Sequence, residues 1–229
     1  MSVEAFLKQV KKEMLSHPVM SHRFWSRFEQ AEFSRKGLRS FSLHYYLHVL
    51  QTRLYDAMVL ARTPSEPIQA ALASILWDEY GRGDSNRTHP EQFRKLLRAL
   101  SLSERDWRSV EPLPEYEAYR DIHSRLCQDY DIRVGLGVVG LAMEYPIPSL
   151  YEKLVRGFRQ HGIPDDALEF FLEHIPTDET HSSLMENALR PELERGEYRA
   201  LVREGVKRSL DARYFLMDGM ERVTFNISA

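Results

Sequence analysis

The sequence predicts an all-α fold, and three observations carry that expectation. Residues 38–62 set Phe41, Tyr45, Leu47 or His48, Leu50, Leu54 and Met58 close to three-and-four spacing, the pattern of a long amphipathic helix. Alternating β-branched runs, the pattern of half-buried strands, are absent. The breaks, at Gly81 and Gly83, Pro112 and Pro114, Gly162-Ile163-Pro164 and Gly196, leave only short connections, as in a compact bundle. In chain order, helices are expected over 3–16, 19–33 and 38–62, then over 66–80, where the glycines stop it. The next, 90–99, has Pro90 at its first position, which also puts His89 at a helix start. Helix 114–129 opens on Pro114, and 133–160 contains a glycine-rich apolar run. Helix 165–173 follows Pro164, 178–193 follows Pro176, and 197–223 follows Gly196.

A chain of 229 residues can bury one sizeable core, and no linker-like stretch divides it, so one domain over 1–229 is expected. With 31 basic against 34 acidic residues, there is no electrostatic reason to expect nucleic acid or anionic lipid as a partner. The longest apolar run, around 134–143, includes glycines and falls short of the roughly 18 to 20 residues that span a bilayer. Lysines interrupt residues 1–15, where a signal core would lie, so a cytoplasmic protein with no membrane partner is expected. The single cysteine, Cys127, excludes an internal disulfide and a thiolate-rich metal site. In Arg125-Leu126-Cys127-Gln128-Asp129 it has no neighbouring base, and it reads as a packed, inert thiol.

The chemistry concentrates in Glu173-His174-Ile175-Pro176-Thr177-Asp178-Glu179-Thr180-His181, which sets two imidazoles and a carboxylate at i, i+4 and i+7. At about 100° per residue the three fall within about 60° on one helix face and can meet one ion. Pro176 removes a backbone donor between His174 and Asp178, so a kink is expected there and Asp178 with His181 is the firmest pair. Trp77-Asp78-Glu79-Tyr80-Gly81 and Thr88-His89-Pro90 contribute Glu79 and His89. An unbroken helix would hold those two about 15 Å apart along its axis, so they share an ion only if the glycines break it. Glu144 ends the apolar run Gly135-Leu136-Gly137-Val138-Val139-Gly140-Leu141-Ala142-Met143. Buried there, it needs a cation or a proton, since an unpaired buried carboxylate costs on the order of several kcal/mol. At an exposed helix end before Pro146 it would need neither. Three carboxylates and three imidazoles suit two divalent first-row metals.

The order Asp78-Glu79-Tyr80-Gly81-Arg82-Gly83, then His89, then Glu144 in a glycine-rich apolar helix, then His174-x-x-x-Asp178-x-x-His181 resembles the heme-oxygenase-like di-iron oxidase family, over nearly the whole chain. That family is related in fold to the thiamin-salvage and PQQ-synthesis proteins, TenA and PqqC, and to heme oxygenase. The resemblance implies a TenA/PqqC-like bundle of about seven main helices around a central cavity. It also implies a dinuclear non-heme iron site with Glu79, His89, Glu144, His174, Asp178 and His181 as ligands and Glu144 as the bridging carboxylate with a catalytic role. Dioxygen would be the co-substrate of a small organic substrate, an amine or amino acid in preference to a fatty acid, with an external electron donor. Such bundles often pair as homodimers. Asp78, Glu173 or Tyr80 would orient ligands.

His44-Tyr45-Tyr46-Leu47-His48 resembles the tyrosine-rich segment of members that form para-aminobenzoate from their own side chains, and Tyr45, Tyr46 and Tyr80 are expected to line the substrate pocket. Those members carry a lysine ten residues after the third ligand carboxylate. Here that position is Leu154, with Lys153 one residue out of register, so the self-sacrificing reaction is not implied. Three other readings compete. Cofactor-free acid–base catalysis could occupy the same cavity. A heme oxygenase with His22 as proximal ligand would leave the three carboxylates unexplained. A non-enzymatic interaction protein would leave the buried acids and histidines without a purpose.

Overall fold

The computed structural model describes residues 1–225. Helix α1, Val3–Leu15, starts at Ser2, whose Oγ accepts from the Ala5 amide at 3.1 Å, and buries Phe6, Leu7, Val10 and Met14 along one stripe. A 3₁₀ turn, Pro18–Ser21, leads into α2, Arg23–Glu29, and α3 runs over Arg35–Leu60. Then come α4, Glu66–Glu79, α5, His89–Ala99, and the short α6, Glu104–Arg108. Helix α7 spans Pro114–Gln128, α8 Ile132–Gly137 and α9 Ile147–Gln160. Two long helices close the chain, α10 over Glu169–Glu194 and α11 over Tyr198–Phe225. No strand occurs among the described residues.

The all-α expectation holds, with more helices than the bundle of about seven main ones that the resemblance implied: eleven α-helices among the described residues, of which α2, α6 and α8 are only seven, five and six residues long. Helix α6 rests on a local device, a capping box in which Ser103 and Asp106 satisfy each other's backbone donors, rather than on a buried stripe. The single helix expected over 133–160 is three pieces. After α8 the chain makes a π-helical turn over Val138–Ala142, closed by the Met143 amide on the Val138 carbonyl at 3.0 Å, and α9 starts only beyond Pro146. Conversely, the two helices expected on either side of Pro176 are one, because α10 passes through that proline and through Pro191.

Buried apolar side chains from Phe6 to Met220 form one connected cluster. Helix α11 lies at its centre, against α3, α7, α8 and the π turn, while α10 lies against α4, α5 and α9. The approach of α8 to α11 is backbone on backbone. A Cβ at Gly205 would meet the Val134 carbonyl oxygen at 2.0 Å, and one at Gly137 would meet that of Val202 at 2.1 Å. Only glycine permits that contact, and it fixes the base from which the π turn and Glu144 extend. On the far side Phe24, Phe28, Phe41, Phe158 and Phe171 stack edge and face, each burying an aromatic ring worth about 2–3 kcal/mol. Among the described residues no helix is long and apolar enough to cross a membrane.

Candidate metal centre

The break between Glu79 and His89 that the sequence required is present. Gly81, Arg82 and Gly83 take φ of +77°, +54° and +88°, the left-handed region that glycine enters freely, and a Cβ at Gly81 would lie 2.7 Å from the Arg87 carbonyl carbon. The chain therefore reverses, and Thr88 caps a new helix whose first residue is His89. His89 Nδ1 comes to 2.8 Å from Glu79 Oε2, yet it makes no hydrogen bond of acceptable geometry. On α10, His174 brings its ring to 4.2 Å from that of His89, centroid to centroid. Its Nδ1–H donates to the Phe170 carbonyl at 2.5 Å, which fixes the tautomer and leaves Nε2 with a free lone pair.

One and two helical turns further along α10, Asp178 and His181 face Glu144, which is buried, not exposed at a helix end. His181 Nδ1 lies 3.5 Å from Glu144 Oε2 and 4.0 Å from Asp178 Oδ1, while its Nε2 pairs with Asp78 Oδ2 at 3.0 Å. Asp78 is itself held by Arg82 Nε at 2.6 Å, from the glycine turn. Two compact triads result, Glu79 with His89 and His174, and Glu144 with Asp178 and His181. Within each, one potential ligand atom per residue lies within 4.8 Å of the others. All six residues singled out in the sequence thus converge from four separate segments.

Between the triads lies a cavity of about 40 Å³, with Val49, Met143, Ile147 and Phe170 as apolar wall. That is room for a few water-sized molecules. Burial, reinforced by His89, drives the His174 pKa down to about 3, so its ring is neutral. Burial alone would lower His181 as well, but the hydrogen bonds and charges of Glu144 and Asp78 raise it to about 9. Burial and the charges of Glu144 and Glu79 push the carboxyls of Asp178 and Asp56 well up. Glu79 goes the other way, its burial outweighed by His89.

The three tyrosines expected at the pocket are not on it. Tyr80 is exposed and lies under the Arg53 guanidinium. Tyr46 faces an outer cleft, where its hydroxyl accepts from Arg94 Nε at 2.7 Å. Tyr45 is buried one layer back, its hydroxyl 3.2 Å from that of Tyr151, and Tyr151 is the tyrosine that lines the cavity. Glu173 pairs with Arg87 and Gln92, whereas Asp78 does hold His181. The sequence reading missed His48, Asp56 and Arg213, which also line the cavity. A signal existed: Tyr45, His48, half-buried Thr52 and Asp56 follow one face of α3 at three- and four-residue spacing, and Arg213 sits in the buried stripe of α11 between Leu210 and Leu216.

Cys127 is buried with its pKa pushed up to about 12 by desolvation, and so is no nucleophile. Both ring nitrogens of His22 are engaged, Nδ1 accepting from the Phe24 amide and Nε2 paired with Asp218. Whether the triads fit a metal is tested by His89. Two bases, an imidazole nitrogen and a carboxylate oxygen, stand at contact distance without a proper hydrogen bond, an arrangement that a shared cation satisfies. Mixed carboxylate and imidazole donors with no thiolate suit iron.

A family model described as iron-containing redox enzymes matches residues 39–214. A 4-aminobenzoate synthase of Chlamydia pneumoniae is 23% identical over 180 residues, covering 78% of this chain and 79% of that protein. Its counterpart from Chlamydia muridarum is 24% identical over 180 residues, 77% of this chain and 74% of that one. Among solved structures, a CADD-like protein from Nostoc punctiforme superposes with a TM-score of 0.81 at 14% identity, covering 97% of this chain and 98% of its own. A TenA homologue from Pseudomonas syringae gives 0.76 at 15% identity, covering 97% and 96% of the two chains. A domain with a heme-oxygenase-like fold from Shewanella denitrificans gives 0.75 at 15% identity, with 100% of this chain and 97% of that one covered.

Proposed function

Because the chain belongs to the iron-containing redox enzymes, with the heme-oxygenase-like helical fold, and is thus an oxidoreductase, we propose that it is a di-iron oxidase or oxygenase acting on a small organic substrate with dioxygen. The observation that carries this reading is the pair of triads, six donors drawn from four segments into two compact sets, with Glu79, Glu144, His174 and Asp178 lining one cavity. Glu79, His89 and His174 would hold one ion and Glu144, Asp178 and His181 the other, with Glu144 facing the shared space. Iron bound there supplies redox chemistry toward dioxygen.

The protein's own residues do the rest. The Phe170 carbonyl and Asp78 hold His174 and His181 in the tautomers that turn the remaining nitrogen toward the site. Val49, Met143, Ile147 and Phe170 exclude bulk water. Asp56 Oδ1 has no hydrogen-bond partner, and burial favours its neutral form, so this carboxyl holds a proton at the cavity wall, available when oxygen is reduced. The cavity as it stands admits dioxygen or water, and an organic substrate enters only as lining side chains move aside. An amine or amino acid is the preferred substrate, with electrons from an external donor. Formation of 4-aminobenzoate from the chain's own side chains is not favoured: Leu154 is wholly buried, and Lys153 does not line the cavity.

The test is an anaerobic ferrous titration followed by rapid mixing with dioxygen, alongside Glu144→Ala. Two irons per chain and a transient oxygen-dependent absorbance, both impaired in the variant, are expected. Failure to bind any first-row divalent metal would sink the proposal.

A further inference from the structure

Arg213 is the one arginine or lysine among the residues lining the central cavity, and the function proposed above does not use it. It is buried to 4% exposure on α11, its Nε has no hydrogen-bond partner, and among the described residues no carboxylate reaches ion-pair distance of its guanidinium. Around it stand the Tyr119 phenol, whose pKa burial raises, His48 and His123, whose pKa values burial lowers, and, beyond ion-pair distance, the Asp178 carboxyl, which burial raises and the Arg213 charge only partly offsets. An unpaired buried guanidinium is expensive unless an anion joins it.

We propose that Arg213 is the substrate's anion anchor, and that the site takes a small organic acid whose carboxylate pairs with this guanidinium while its apolar part lies against Met143, Ile147 and Phe170. The proposal rests on the di-iron reading. Charge counting supports it: two divalent ions against the three carboxylates of the triads leave one positive charge, and Arg213 adds a second. Asp56, the one other acid at the cavity, removes at most one of these even when ionised. The centre therefore retains positive charge that an anionic substrate neutralises. A planar guanidinium with several donors in a fork matches a carboxylate, whereas an amine would be repelled. Within the amine-or-amino-acid preference, this selects substrates that carry a carboxylate.

The experiment is isothermal titration of the iron-loaded protein, kept anaerobic, with hexanoate, hexanamide, L-norleucine, L-norleucinamide and hexylamine. It is repeated on Arg213→Gln and Arg213→Lys, with iron content and thermal melting measured for each protein. Wild type is expected to bind each acid at least tenfold tighter than its amide. R213Q should lose that preference at unchanged iron stoichiometry, and R213K should weaken acid binding severalfold while leaving the amides alone. R213K carries the test by itself if R213Q fails to fold. Equal binding of acid and amide by wild type, or tighter binding of hexylamine than of either acid, overturns the proposal. So does an acid preference that is undiminished in the variants, which would assign the carboxylate to the metal alone. If wild type takes up no iron, the di-iron reading falls separately, and the same titrations on the metal-free protein judge Arg213 by the same criterion.

Discussion

The two triads differ in how many protons they must shed before a cation can enter, so their affinities for iron should respond differently to pH. Ligation needs neutral imidazole and ionised carboxylate. In the first triad two of the three groups are already in that state near neutrality, because His174 titrates at about 3 and Glu79 is held ionised below the usual carboxylate range by His89. In the second, His181 titrates at about 9 and the Asp178 carboxyl is raised by burial and by Glu144. Removing the His181 proton at pH 7, two units below its pKa, costs about 3 kcal/mol, a hundredfold in affinity. Asp178 adds a second proton to the same step. The first ion should therefore respond to pH less steeply than the second, which should tighten by about tenfold per pH unit for each proton released. Anaerobic calorimetric titration with ferrous ion, in buffers of different ionisation heat, reads affinity and proton release together. Equal pH slopes for both ions, or release of far less than one proton per chain at pH 7, would refute the reasoning.

Other perturbations act on separate parts of the structure. Asp78→Asn leaves His181 without its charged partner and should weaken the second ion by about 10- to 100-fold while sparing the first, as metal analysis after dialysis would report. Glu144→Ala should leave at most one iron per chain and abolish the oxygen-dependent absorbance. Gly205→Ala drives a Cβ to 2.0 Å from the Val134 carbonyl, and should lower stability by about 3 kcal/mol or more, seen as a reduced midpoint in urea. The metal-free protein should lose thermal stability as pH rises from 6.5 to 9. His181 has a folded pKa above its unfolded value, so its contribution is complete below about 6.5 and lost through about 9. The raised carboxyls of Asp56 and Asp178 shift stability in the same direction, and the depressed imidazoles of His174 and His123 matter only below about 6.5. Iron loading removes the His181 and Asp178 protons and should flatten the slope, which melting curves with and without iron would check.

Residue types and local spacing made the six donors legible, since helical geometry alone puts Asp178 and His181 together and the glycines after Tyr80 mark where the chain must turn. Helix register and neighbour choice are set by long-range packing, and there the sequence was silent. Tyr45 and Tyr151 show the difference: both belong to core-facing stripes, but only the way their helices pack decides that Tyr151 reaches the cavity while Tyr45 stands behind it. Arg213 and Asp56 escaped for the same reason, because a charged residue within an apolar stripe acquires meaning only when the facing element is known. Pro176 misled in the opposite sense. A proline forfeits one helical hydrogen bond, but here α10 is packed along its length against α4, α5 and α9, and tertiary contact carries the helix through.

Placement of Glu144 depends on a backbone irregularity that composition alone could not locate. A π turn contains about one residue more than an α turn, so side chains after it are rotated by roughly 100° relative to an unbroken helix. The turn at Val138–Ala142 stands on α8, which the Gly137 and Gly205 contacts press against α11, and its outer face meets α10 through Gly140, where a Cβ would lie 3.0 Å from Met185 Cε. Glu144 is thereby aimed at Asp178 and His181 by a segment anchored on both of the long helices. Helix α10 is the element common to both triads, giving His174 to one and Asp178 and His181 to the other. The spacing of the two candidate ion sites is accordingly set along one continuous helix. Helix α4 delivers Glu79 to that helix, the glycine turn after it brings back His89, and the π turn after α8 delivers Glu144 from a firmly packed base, so the site is positioned by rigid elements on every side while its cavity stays open at the centre.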